Sequence, residues 1–147
     1  MNELMNLLAL AGKVDREYTR VLNRRFARAG FQVRREQYEL LRVLWEADNV
    51  NQQSIADKLE KGKYNVTKLL NELQKRGFAR REAGEDKRYN RVVLTGKGIE
   101  ARVPLSAIEE TMLLDLSFTL SSAEMKGGAW MLRKLKEALD ADDHNQK

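Results

Sequence analysis

Residues 51–98 read NQQSIADKLEKGKYNVTKLLNELQKRGFARREAGEDKRYNRVVLTGKG, and the fold class turns on this stretch. Its hydrophobic period changes partway along. Asn51 suits a helix N-cap, and Ile55, Ala56 and Leu59 then fall on the inward side of a short helix over 52–60. Gly62 interrupts it. A second helix over 63–76 gathers Val66, Leu69, Leu70 and Leu73 on one face, and Gly77 stops it. Beyond Gly77 the pattern shortens: 78–83 alternates, 84–90 is polar and turn-rich, and Arg91-Val92-Val93-Leu94-Thr95 is β-branched and apolar. Two short strands around a charged loop make a β-hairpin. A helix pair followed by a hairpin is the order of a winged helix-turn-helix, which lays the second helix of the pair in the major groove of DNA.

Working outward, residues 3–29 predict one long helix, with Leu4, Leu7, Leu8, Val14, Tyr18, Leu22 and Phe26 at helical spacing and Gly30 as its stop. Residues 34–47 predict a second, carrying Tyr38, Leu41, Leu44 and Trp45, with Asp48-Asn49 as turn chemistry. Thr95 caps a helix expected over 96–117, in which Pro104 predicts a kink. Ser121 and Glu124 form a capping box for a last helix over 122–139, and 140–147 reads as a polar tail. The expectation is a mainly α protein with a small β-hairpin wing. No repeat or linker divides the 147 residues, so a single domain is expected over 1–147.

Composition narrows the function classes. Apolar residues make up 42% and charged residues 33%, which fits a soluble globular chain. No apolar run approaches the ~20 residues of a membrane span, and no secretion signal precedes the first helix, so a cytoplasmic protein without membrane contact is expected. There is no cysteine, which removes disulfides and thiol redox sensing. The only histidine, His144, lies in the tail, so no metal and no His-dependent acid–base site is expected. With no Ser–His–Asp set, GxGxxG or phosphate loop, no catalytic residues and no cofactor are expected either. The aromatic platforms of common RNA modules are also missing.

Net charge is +5, but residues 61–91 hold ten basic residues against four acidic ones. A local basic surface suits a polyanion, although a solvated helix face would show the same charge. On the second helix of the pair, Lys63, Tyr64, Asn65, Thr67 and Lys68 lie away from the apolar face and near the start, where side chains reach bases and phosphates. Asn can pair with adenine, Thr offers a hydroxyl and a methyl, and Lys reaches guanine or phosphate. Gln52, Gln53 and Ser54 open the first helix of the pair and suit phosphates. At the hairpin tip, Asp86, Lys87 and Arg88 place an arginine where it fits a narrow minor groove, with Asp86 able to hold the guanidinium.

These segments together resemble the multiple antibiotic resistance regulator (MarR) family. The resemblance is carried by Ser54 to Leu59, Asn65 to Phe78, Asp86-Lys87-Arg88 and Val93 to Gly98, in order and at the family's spacing, across about residues 38–98. It implies a homodimeric, sequence-specific DNA-binding transcriptional regulator, usually a repressor of a pseudo-palindromic operator relieved by a small ligand. It also implies that 34–95 binds double-stranded DNA, that 1–30 and 96–140 pair two copies, and that Arg88 enters the minor groove beside Asp86. Gly62 stands where the family commonly has a capping Asp or Ser, and Tyr64 is bulkier than the residue common there. A small aromatic ligand, known for family members, would here meet Tyr18, Phe26, Tyr38, Trp45 and Met112, with Arg16 or Arg20 on its carboxylate; aromatics at this spacing also make ordinary core. The alternative reading is a winged-helix adaptor that mediates protein–protein contacts without DNA.

Overall fold

The computed structural model describes residues 2–84 and 90–147. Its elements are α1 (Asn2–Arg28), α2 (Arg35–Glu46), β1 (Val50–Asn51), α3 (Gln52–Leu59), α4 (Lys63–Lys75), β2 (Ala79–Ala83), β3 (Asn90–Leu94), α5 (Gly96–Glu100), α6 (Arg102–Ser117) and α7 (Ser122–Asn145). The architecture is mainly helical with one small antiparallel sheet, as expected. The chain divides into two compact units, 1–109 and 110–147.

In the first unit the predicted apolar faces converge on one core. Leu22 and Phe26 of α1 meet Leu40, Leu41 and Leu44 of α2, Ile55 of α3, Val66, Leu70 and Leu73 of α4, Val92 of β3 and Leu105 of α6, all of them buried. Phe26 and Tyr38 pack tilted with centroids 5.1 Å apart, and Tyr38 and Trp45 pack edge to face at 5.9 Å. The caps read from the sequence form. Asn51 accepts a hydrogen bond from the Ser54 N–H at 2.8 Å, and Thr95 accepts from the Gly98 N–H at 3.1 Å. Gly77 ends α4 with φ +82°, a left-handed turn that a residue with a Cβ adopts only at a cost.

The sheet holds one strand more than the hairpin alone. Val50 and Asn51 form β1, paired to Val92 and Arg91, so the order is β1-β3-β2. The Asp48 carboxylate fixes this join by accepting from the N–H groups of both Asn49 and Leu94, at 2.8 and 2.9 Å. Between α3 and α4, the left-handed residue is Glu60 (φ 52°), and Gly62 is extended and serves as the N-cap position of α4.

Three expectations are corrected. The helix expected over 96–117 is broken at Ala101 into α5 and α6. Pro104 consequently stands in the first turn of α6, where a backbone N–H has no intrahelical acceptor to lose, and it kinks no long helix. Gly98 packs so closely that a Cβ would lie 2.1 Å from the Phe78 carbonyl oxygen, and its own carbonyl accepts from Trp45 Nε1 at 2.9 Å. In the second unit the polar tail is helical, and α7 continues to Asn145. Ion pairs Lys136–Asp140 and Lys147–Asp143, one helical turn apart, support that extension. The Ser121–Glu124 capping box forms with both bonds at 3.0 Å.

Candidate nucleic-acid interface

The interface is built on α3 and α4. One face of α4 is closed by Val66, Leu69, Leu70 and Leu73. The other side of its first two turns is open: Lys63, Tyr64, Asn65 and Lys68 are exposed, Tyr64 at 81%. An exposed aromatic of this size beside two lysines lies on the polar side of an otherwise ordinary amphipathic helix. Gly62 supplies no side-chain cap, so the first-turn N–H groups of α4 lack a capping side chain, which suits anionic oxygens. Lys63 and Lys68 make no ion pair with another described residue.

On α3, Gln53 is exposed and its amide donates to Asp57 at 2.9 Å, while Ser54 is half-buried. Gln52 and Thr67, both expected at DNA, are joined to each other: Gln52 Nε2 donates to Thr67 Oγ1 at 2.5 Å. Asp86, Lys87 and Arg88 lie outside the described residues.

The basic stretch is less free than its count suggests. Arg80 pairs with Glu82 at 2.9 Å. Arg81 donates to Gln74 Oε1 at 2.9 Å, and Arg91 donates to the Asn49 carbonyl at 2.9 Å. Arg76 donates to the Gln32 carbonyl at 2.7 Å and to Gln37 Oε1 at 3.0 Å. Arg76, Arg81 and Arg91 tie different segments of the fold together, and Arg80 is paired within its own strand; Lys63 and Lys68 of α4 carry open charge.

Gln37 is the residue that sequence reasoning missed. It is 1% exposed, yet its amide donates to Glu72 at 2.7 Å and its carbonyl oxygen accepts from the Arg34 N–H and from Arg76, each at 3.0 Å. It thereby links the start of α2 to the far half of α4. The available signal was a polar residue on the apolar stripe that continues through Leu40, Leu41 and Leu44.

The residues expected around a small ligand are placed as follows. Phe26 and Tyr38 are buried core. Tyr18 and Tyr38 donate their hydroxyls to the two oxygens of Glu109, at 2.6 and 3.1 Å. Burial and the Glu109 carboxylate raise both phenols above their usual range. Arg20 pairs with Glu17 at 2.8 Å, Arg16 is exposed, and Met112 belongs to the second unit. Two clefts flank α4, of about 220 and 840 Å³, and neither is lined by these residues. Among the described residues no group of three or more acidic, His or Cys side chains is placed to hold a metal ion, and no helix is long and apolar enough to cross a membrane.

A helix pair with an exposed polar N-terminal face on its second helix, followed by a hairpin whose strand pairs back to the segment before the first, defines a winged helix-turn-helix. Residues 33–89 match the model of the MarR family. The fold matches that of the MepR–DNA complex from S. aureus at a TM-score of 0.81 and 23% identity, over 89% of this chain and 96% of that one. A MarR protein from Peptoclostridium difficile aligns at 0.81 and 20% identity, over 97% and 92%. Ligand-free MarR from E. coli aligns at 0.67 and 21%, over 88% and 95%. At such identities the structural likeness speaks to the fold. No curated protein sequence matches the chain. Over residues 33–89 the chain is thus similar to the MarR family, and its fold is that of a winged helix-turn-helix protein.

Proposed function

We propose that the chain is a sequence-specific DNA-binding repressor that acts as a homodimer on a pseudo-palindromic operator. The observation that carries this is the open face of α4: Lys63, Tyr64, Asn65 and Lys68 stand exposed at the start of a helix whose opposite face is closed in the core. Such a helix start suits base edges and phosphates in the major groove. Gln53 and Ser54, at the start of α3, then meet backbone phosphate. Arg88, with Asp86 beside it, enters the adjacent minor groove, and Lys87 adds charge there. The MepR relative in complex with DNA supports the reading.

In this proposal 34–95 binds DNA, while 1–30 and 96–140 pair the two copies. Support for pairing comes from the apolar side chains that a single chain leaves open. Leu4, Leu7, Leu8 and Val14 of α1 are exposed, as are Trp130 and Met131 of α7, and no α7 residue is buried. Relief of repression by a small aromatic acid belongs to the same proposal, with Arg16 exposed and Tyr18 half-buried as its nearest contacts. The protein would act in the cytoplasm, where its DNA is.

Fluorescence titration against labelled genomic fragments at several salt concentrations tests the reading. A DNA binder weakens steeply as salt rises, because bound cations are released from the phosphates. An adaptor that does not use DNA gives a flat or absent response.

A further inference from the structure

We infer that Thr67 is a positioning residue of the recognition helix and not one of its base readers: it is the point at which α3 and the wing strand grip α4. This rests on the DNA-binding reading above and refines how that site works. Thr67 lies among the DNA-facing residues in sequence, but its hydroxyl is already committed. The oxygen lies 2.9 Å from the Lys63 carbonyl, one helical turn back. A carbonyl only accepts, so the single hydroxyl proton goes there. The Gln52 amide, 2.5 Å away, must then be the donor, and it fills one of the two lone pairs of the same oxygen. Thr67 therefore has no proton to give a base.

The contact spans two elements. Gln52 is the first residue of α3, and Thr67 sits in the second turn of α4. Arg81 of β2 also reaches this residue, with Nη2 3.4 Å from the Thr67 carbonyl and Nη1 2.9 Å from Gln74 Oε1. Thr67 is thus held through its side chain by the first helix of the pair and through its backbone by the wing. The angle at which α4 presents Lys63, Asn65 and Lys68 depends on this grip.

A double-mutant cycle tests the inference, using Thr67→Val, which keeps the shape and a methyl, Gln52→Leu, and the pair together. Each is titrated against a selected site and against its single-base variants. A grip predicts that either single change weakens binding about three- to tenfold at every variant alike. It also predicts that the double change is no worse than the weaker single and that Thr67→Ser is near wild type. Losses that multiply in the double, or a Thr67→Val protein whose preference changes at one base pair only, would overturn it. Amide exchange in the free protein gives a second reading that needs no DNA. Gln52→Leu should speed exchange over residues 63–70, and unchanged protection there contradicts the grip. If the wild-type protein binds no DNA, the functional reading fails, while the exchange measurement still decides whether the grip exists.

Discussion

Single buried contacts decide how firmly the reader is held. The Gln37 amide bonds a carboxylate, a guanidinium and a backbone N–H from a site closed to water. Gln37→Leu keeps the volume but strands those partners. It should cost about 1–3 kcal/mol in urea unfolding. Gly98→Ala should cost at least as much, about 1–3 kcal/mol or more, because its Cβ would meet the Phe78 backbone and not a movable side chain. Tyr18 gives a pH prediction. Its phenol is raised in the folded state, so the folded chain holds the proton more tightly than the unfolded one. The resulting stability is complete below the ordinary tyrosine range, near pH ~10, and is lost as pH rises through that range and above. Tyr18→Phe should flatten this alkaline loss in a pH series of thermal melts. An unchanged slope would show that the Glu109 contact does not hold the phenol. None of these networks is readable from spacing. Arg76, Arg81 and Arg91 look like free charge in the sequence because their partners are brought close only by folding.

Helices and strands follow the sequence where the forces are local. Asn51, Thr95 and Ser121 cap the helices assigned to them, since a cap binds an N–H only three residues away. Asn51→Ala should therefore cost about 1 kcal/mol. The buried face of α4 follows equally from its period. Elements that depend on distant partners are not legible in this way. β1 exists because Val50 finds Val92, and two residues with such a pairing leave no periodic trace. The break at Ala101 follows a turn of α5 in which Gly98 packs closely on the Phe78 backbone, a tertiary contact with no trace in the sequence, whereas a lone proline in an apolar pattern points to a kink. The correction is measurable. A proline inside a helix costs ~3 kcal/mol, so its removal there would stabilise the chain by about that much. In the first turn of α6, Pro104→Ala should change stability by less than ~1 kcal/mol.

At the scale of the whole molecule the apolar side chains left open on α1 and α7 are the strongest sign of a partner. Exposed Leu4, Met5, Leu7, Leu8 and Leu10 crowd the first turns of α1, and Trp130, Met131 and Leu132 follow one another on α7. Apolar surface of this kind on a charged chain marks an interface. Sedimentation at micromolar concentration should give a dimer, and a monomer would remove the basis for a two-fold operator. The helix-turn-helix and the two hairpin strands were legible because each rests on a short apolar period bounded by glycine or a cap. The partner and the DNA sequence were not, because both depend on surfaces outside the chain. The central claim is that the open face of α4 reads DNA. It is tested most directly by sequencing fragments that the purified protein selects from a random DNA library. The predicted result is a pseudo-palindrome with half-sites about one helical turn apart, lost when Lys63, Asn65 and Lys68 are replaced together. No enrichment with the wild-type protein, or the same motif recovered by the triple variant, would contradict it.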